Sequence, residues 1–98
     1  MIYDILRETG LPVAYGHFKK MTAPPFIVYL GDGQDTFSAD NTWHFKSNQY
    51  SIEYYFTTKN EEAEDRIETL LLSNGYNYSK SEDVYIDSEG IYVIYYSV

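Results

Sequence analysis

The sequence holds few residues of the kinds that carry enzymatic or metal chemistry. It has no cysteine, and its two histidines, His17 and His44, lack the paired spacing that places two ligands on one metal ion. The segment Gly31-Asp32-Gly33 is too short for a phosphate-binding loop and has no following helix to hold the anion, so we interpret it as a turn. Carboxylate pairs are frequent, but none lies in an apolar stretch that would raise its pKa. We therefore predict a protein that is not an enzyme and holds no metal ion or cofactor.

The charge balance excludes further classes of protein. The 98 residues include 15 acidic and 7 basic ones, for a net charge of −8. Nucleic-acid-binding domains need a basic surface, which this composition does not provide. No apolar run approaches the roughly 20 residues that cross a bilayer, and no signal peptide is apparent at the N-terminus. We expect one soluble intracellular domain without disulfides or membrane contact.

The negative charge is concentrated in the second half of the chain. Residues 1–49 hold 5 acids and 4 bases, whereas residues 50–98 hold 10 acids and 3 bases. The simpler interpretation is a solvated helix face followed by a polar loop, and the alternative is a surface that repels or mimics DNA. The candidate acidic surface consists of Glu61, Glu62, Glu64, Asp65 and Glu68.

Hydrophobic periodicity predicts two helices. The first covers residues 1–9 and stops at Gly10 and Pro12. The second covers residues 60–73, with Asn60 as its N-cap and Asn74-Gly75 at its end. Its predicted buried stripe is formed by Ala63, Ile67, Leu70 and Leu71.

The remaining apolar segments predict strands. The clearest is 49–57, where aromatic and aliphatic residues alternate with polar ones. The residues from Gly31 to Thr42 are predicted to form a long polar loop with a binding role. The order of elements predicts an α+β fold, a single domain over residues 1–98 with a mostly antiparallel sheet flanked by two helices on one face. The other predicted strands are 13–18, 26–30, 76–79, 84–86 and 91–98.

Several segments together resemble a known family. They are Pro24-Pro25-Phe26-Ile27-Val28-Tyr29 followed by Ala39-Asp40-Asn41, then Ile52-Glu53-Tyr54-Tyr55, the acidic helix, and the closing segments 85–89 and 92–96. This pattern is similar to that of the small tail terminator (tail completion) proteins of long-tailed phages and prophages of Gram-positive bacteria. The pattern departs from the family at Tyr54-Tyr55-Phe56, where a Leu-Tyr-Thr pattern is expected.

The resemblance implies a structural role. Family members form a hexameric ring at the head-proximal end of the tail tube, stop its growth and offer a docking surface to the head connector. The implied partners are further copies of the chain, the tail tube protein and the head-tail connector protein, while DNA only passes through the lumen. The implied location is the host cytoplasm during assembly and then the virion tail.

Candidate interface residues follow from this comparison and from the chain itself. A basic segment of one subunit is expected to meet an acidic patch of the next, and exposed aromatic residues are expected to anchor the contact. The candidates are Lys19, Lys20, Phe26, Tyr29, Asp40, Asn41 and Trp43. Two alternatives remain open at this point, another head-tail connector component (a stopper or adaptor) and an acidic inhibitor that mimics DNA.

Overall fold

The sheet is built around two long central strands. A computed structural model describes the backbone of residues 1–39 and 43–98 and the side chains of residues 1–33 and 48–98. The six strands lie in the order β1-β2-β3-β6-β4, with β5 also paired to β6. The strands are β1 (Val13–Tyr15), β2 (Phe26–Ala39), β3 (Trp43–Phe56), β4 (Ser79–Lys80), β5 (Val84–Ile86) and β6 (Ile91–Ser97).

Only one strand pairing is parallel. β1 runs parallel to β2, whereas all other pairs are antiparallel. β4 and β5 pair with opposite ends of β6 and together form one interrupted edge. The predicted α+β fold, with a mostly antiparallel sheet in a single domain, is confirmed.

Two helices cover one face of the sheet, which we call the helix face. They are α1 (Ile2–Arg7) and α2 (Glu61–Ser73). The core lies between them and the sheet, because apolar residues alternate along β2, β3 and β6 so that every second one faces the helices. Its fully buried members include Leu6, Ile27, Ile52, Tyr54, Ile67, Leu71, Ile94 and Tyr96.

The ends of α2 follow from its flanking residues. The Asn60 side chain accepts a hydrogen bond from the backbone N–H of Ala63 at 3.3 Å, as predicted for an N-cap. At the other end Gly75 adopts φ +86°, and the N–H of Tyr76 donates to the carbonyl of Leu71 at 2.9 Å. These contacts form a Schellman motif, which satisfies carbonyls that the helix leaves unpaired.

The predicted loop from Gly31 to Thr42 is wrong over residues 31–39, and its residues 40–42 lie outside the described residues. β2 continues through Gly31 to Ala39 and pairs with β3 as far as Trp43. The register shifts between Gly31 and Gln34, so that Asp32 and Gly33 oppose Gln49 alone. Gly33 has φ +91°, a conformation that favours glycine, so Gly33 serves a β-bulge within the strand and not a chain reversal.

Candidate assembly interface

The most prominent feature of the molecule is a two-stranded arm formed by residues 32–39 and 43–49. β1 pairs with β2 only at residues 27–29, and β6 pairs with β3 only at residues 51–56. Beyond these positions β2 and β3 pair only with each other among the described strands. Eight residues of strand span about 25 Å. The arm therefore extends far past the sheet.

The overall dimensions agree with a projecting arm. The principal extents are 51 × 24 × 23 Å, and the radius of gyration is 15.0 Å. A compact chain of this length has a radius of gyration of about 13 Å. The excess length lies along one axis, as expected if the helices and the six-stranded region form a small body from which the arm extends.

The ladder register groups the apolar residues of the arm. Phe37 is paired with Phe45, and Ala39 with Trp43. Paired residues share a side of an antiparallel ribbon, and every second pair returns to that side. The intervening pairs are Thr36 with Lys46 and Ser38 with His44. Along the register, apolar pairs therefore alternate with polar pairs.

The sheet has a second face, turned away from the helices, which carries an aromatic cluster. Phe18 contacts Phe26 edge-on at a centroid distance of 5.2 Å, and Phe26 stacks on Tyr55 at 5.0 Å. The Tyr55 hydroxyl donates to Glu53 at 2.6 Å. Burial and this hydrogen bond raise the pKa of Tyr55, so the phenol stays neutral and acts as a donor at physiological pH.

A groove of about 310 Å³ opens beside this aromatic cluster. It lies between the sheet and the segment 16–22, which follows β1. Polar and apolar groups share its lining, and Glu89 and His17 are among the polar residues. The side chain of Met21 is fully exposed there, so the groove carries apolar surface in contact with water. The apolar lining consists of Phe18, Met21, Phe26, Val28, Tyr55 and Ile91.

The helix face carries a different constellation, a network of carboxylates and lysines. Glu64 is 2% exposed and lies between two ammonium groups, Lys59 Nζ at 2.8 Å and Lys80 Nζ at 3.0 Å. Lys80 also contacts Glu68 Oε2 at 2.7 Å. The network joins α2 to β4 and to the loop before α2, so its charges serve the packing of the helix.

Tyrosine hydroxyls complete this network. Tyr96 donates to Glu68 at 2.7 Å and Tyr78 donates to the same carboxylate at 3.1 Å. Burial raises the pKa of Glu68, but the hydrogen bonds from Lys80 and the tyrosines outweigh it and hold this pKa below its usual value. Burial and the hydrogen bond to Glu68 raise the pKa of Tyr96. Glu68 therefore acts as an ionised acceptor at neutral pH.

This network corrects the predicted acidic surface. Glu64 is buried between two lysines, and Glu68 is half-buried and paired with Lys80, so neither is a solvated surface charge. Glu61, Glu62 and Asp65 are exposed, as expected. The sequence does contain a signal for the burial of Glu64, which our prediction missed. Glu64 precedes Leu71 by seven residues, or about two helical turns, and so lies on the same buried side of α2.

The structure separates the predicted interface residues. Lys19 and Lys20 are exposed beside the groove, and Phe26 lies on the second face. Tyr29 is on the helix face instead, where its ring centroid lies 6.2 Å from that of Tyr3. Phe26 and Tyr29 therefore cannot contribute to one surface patch.

Of the remaining candidates, only Trp43 belongs to the described backbone. Trp43 begins β3 opposite Ala39, whereas Asp40 and Asn41 lie outside the described residues. Sequence reasoning missed Met21 and Phe18, because their segment has no periodic pattern.

The described residues contain no group of three or more histidine, aspartate or glutamate side chains placed to hold a metal ion. Within the same part of the chain, no helix is both long and apolar enough to cross a membrane. The sequence matches no protein-family model and no curated protein. The features described above that could serve a function are the arm, the groove and the exposed charges.

Proposed function

We propose that this chain is a structural subunit of a phage or prophage tail, which forms a ring at the head-proximal end of the tail tube. The ring stops growth of the tube and joins the tail to the head connector. The observation that supports this proposal most directly is the projecting arm, because a small domain that places apolar residues on an unsupported ribbon is suited to assembly. The choice of a ring at the end of the tail tube, among possible assemblies, comes from the resemblance to tail terminator proteins.

A ring requires contacts that join two different surfaces of the subunit. Such heterologous contacts close into a ring when the rotation between neighbours permits it. The chain offers two dissimilar surfaces, the arm and the groove on the second face. It therefore has the asymmetry that head-to-tail contacts need.

The exposed acids of α2 suit the passage of DNA. Glu61, Glu62 and Asp65 lie in the first turns of the helix and have no lysine partner among the described residues. Carboxylates that face a lumen repel the phosphates, so DNA passes without binding. In the proposed ring α2 lines the lumen or its rim, while the tail tube and connector proteins bind the two ends.

Deletion of the gene tests the proposal. Electron microscopy of particles from the deletion strain should show overlong, headless tails beside filled, tailless heads, and a plasmid copy of the gene should restore normal particles. Tails of normal length that fail to join heads would contradict termination and indicate a head-tail connector component. Normal virions would overturn the structural role altogether.

A further inference from the structure

We propose that neighbouring copies of the chain join edge to edge, with β1 of one copy paired to β5 of the next, so that their sheets continue into one another. This inference rests on the proposed ring and identifies a contact between its subunits. β1 and β5 lie at opposite ends of the described sheet, and both are short (Val13–Tyr15 and Val84–Ile86). Four strand spacings, in all about 19 Å, separate them, so one copy cannot pair its own two edges.

The outer side of β1 has backbone groups available for pairing. The N–H of Gly16 donates to the carbonyl of Tyr29 in β2 at 2.9 Å. Alternate residues of a strand in a parallel ladder bond to the same neighbour, so the N–H groups of Val13 and Tyr15 point away from β2. Among the described strands none lies on that side. The side chain of Tyr15 is 60% exposed, so this edge offers both hydrogen-bond donors and an aromatic ring.

The outer side of β5 is available in the same way. Val98 and Tyr50 exchange two backbone hydrogen bonds between β6 and β3, so the even-numbered residues of β6 direct their backbone groups to β3. Tyr92 is one of them, and Tyr85 lies opposite it in the ladder of β5 with β6. The N–H and carbonyl of Tyr85 therefore point away from β6, and its side chain is 51% exposed.

The strand directions suit a cyclic repeat. β1, β2 and β6 run in one direction and β3 and β5 in the other, so β1 and β5 are antiparallel within one copy. A rotation about an axis parallel to the strands preserves these directions and keeps each face of the sheet on the same side. β5 of one copy then meets β1 of the next as an antiparallel pair, and the contact repeats until the ring closes.

The exposed tyrosines of the two edges fall on the same side of the joined sheet. Tyr15 contacts Tyr29 on the helix face, edge-on at a centroid distance of 5.1 Å. Tyr85 packs against Tyr92 at 4.9 Å, and Tyr92 stacks on the core residue Phe56 at 5.4 Å, which places Tyr85 on the helix face as well. Opposite and diagonal positions across a ladder are both within reach of aromatic side chains, so the two exposed rings meet across the junction.

The two edges carry opposite charge. Residues 7–20, around β1, hold three bases and one acid, whereas residues 79–90, around β5, hold one base and four acids. Charges beside an edge strand usually protect it from pairing. Here they oppose the pairing of two like edges and favour that of β1 with β5, so the charge pattern selects head-to-tail contacts with a second copy.

Antiparallel pairing brings exposed charges beside opposite charges at both ends of the junction. Lys19 and Lys20 follow β1 and so lie near Glu82, which precedes β5. At the other end Arg7 lines an open cavity beside the start of β1 and so lies near Asp87, which follows β5. None of these side chains forms an ion pair with a described residue of its own chain, so all remain available to a neighbour.

Cysteine cross-linking tests the junction directly, since the chain has no cysteine of its own. The variants are Tyr15→Cys and Tyr85→Cys, each made in the full chain with a tag of different mass. They are mixed and mildly oxidised, both as concentrated protein and in tails completed with the two variants. The control pairs Tyr15→Cys with Tyr95→Cys, another exposed tyrosine, which lies on the second face in the strand next to β5.

We expect the edge pair to form at least about tenfold more cross-linked heterodimer than the control pair, because pairing raises the effective concentration of the two thiols. Equal yields for the two pairs in both samples would overturn the edge pairing.

Charge reversal in the same experiment tests why the two edges pair. Adding Lys19→Glu and Lys20→Glu to the Tyr15→Cys chain sets acid against acid and should lower the yield to that of the control pair. Adding Glu82→Lys and Asp87→Lys to the Tyr85→Cys chain as well should restore it, which also shows that both variants are folded. A yield that ignores both reversals would overturn the selection of the edges by charge.

The particle phenotype separates this inference from the proposed function. Equal cross-linking yields together with overlong tails in the deletion strain would overturn the edge pairing and leave the terminator role standing. An enriched cross-link together with normal virions would retain the edge pairing and overturn the terminator role.

Discussion

At the scale of single residues, the least expected finding is a carboxylate in the core. The charge pattern of α2 predicts a solvated acidic face, and three of its five acids do face solvent. Glu64 lies with Ile67 and Leu71 on the buried side, where Lys59 and Lys80 hold its charge. A charge run therefore does not by itself predict exposure, because the position of each residue around the helix decides which acids are buried.

The Glu64→Gln substitution measures the contribution of this buried carboxylate. It keeps the shape of the side chain but removes the charge between two ammonium groups. Both lysines are partly exposed and regain water, so we expect a loss of about 2 kcal/mol in the free energy of unfolding, below the 3–5 kcal/mol typical of fully buried pairs. Denaturant titration checks this value. The control is Glu62→Gln, at an exposed position of the same helix, which should change the free energy of unfolding by less than about 1 kcal/mol. Equal losses in both variants would contradict a stabilising role for the buried carboxylate.

Glu68 makes folding sensitive to acid. Its pKa is lower in the folded state than its ordinary value of 4.5, so the unfolded chain binds protons more readily as the pH falls. The stabilisation is present above pH 4.5 and is lost as the pH falls through the pKa of the folded state. We therefore expect the thermal midpoint to fall with pH in this range, and to fall less steeply in Glu68→Gln. If the thermal midpoints of the unchanged protein and of Glu68→Gln fall in parallel between pH 5 and 3, Glu68 is not the origin of the acid sensitivity.

At the scale of elements, the sequence predicts the bounds of a helix or strand best where the hydrophobic periodicity and the capping residues indicate the same ends. The α2 helix is predicted within one residue, because an N-cap, an apolar stripe and a C-terminal glycine all indicate the same limits. The β5 strand is predicted with its observed bounds. The start of β3 at Trp43 is not predicted, because the polar run Lys46-Ser47-Asn48 separates Trp43 and Phe45 from the alternating pattern that begins at Gln49.

The arm shows why such elements escape prediction. Gly31-Asp32-Gly33 resembles a turn in sequence, and a bulge within a strand uses the same residues for the same conformational reason. The pairing that distinguishes the two is a contact across the ribbon, which no local pattern encodes. The candidate groove likewise combines residues from three parts of the chain.

Removal of the arm tests its independence from the core. Joining Gly33 directly to Asn48 deletes residues 34–47 and leaves a four-residue connection between the paired residues Gly31 and Tyr50. The free energy of unfolding should change by less than about 1 kcal/mol, because the core lies in the body and the cost of loop closure varies slowly with length. Calorimetry measures this value, and analytical ultracentrifugation of the same protein should show that assembly is lost. A destabilised or still assembling variant would contradict the division into arm and body.

At the scale of the whole molecule, the fold presents two dissimilar surfaces on one small body. The acidic helix layer and the aromatic second face lie on opposite sides of a single sheet, and the arm extends from its end. Such a subunit is suited to head-to-tail contacts, because no surface has to pair with itself.

The combined variant Trp43→Ala, Lys19→Glu and Lys20→Glu tests this arrangement. It removes an aromatic residue of the arm and reverses the charge beside the groove, so we expect assembly to fail while the monomer stays folded. Circular dichroism measures whether the monomer is folded, and size-exclusion chromatography measures whether it assembles. The matched control Lys19→Arg with Lys20→Arg keeps the charge and should still assemble. Rings of unchanged stability in the triple variant would refute the interface.

The central claim, that the protein caps the tail tube, is tested most directly by tube growth in vitro. The purified protein is added to polymerising tail tube protein, and tube lengths are measured by electron microscopy with and without it. We predict shorter tubes that carry a ring at one end, with a length that falls as the concentration of the protein rises. Tubes of unchanged length without a terminal ring, at any concentration of the protein, would contradict the account.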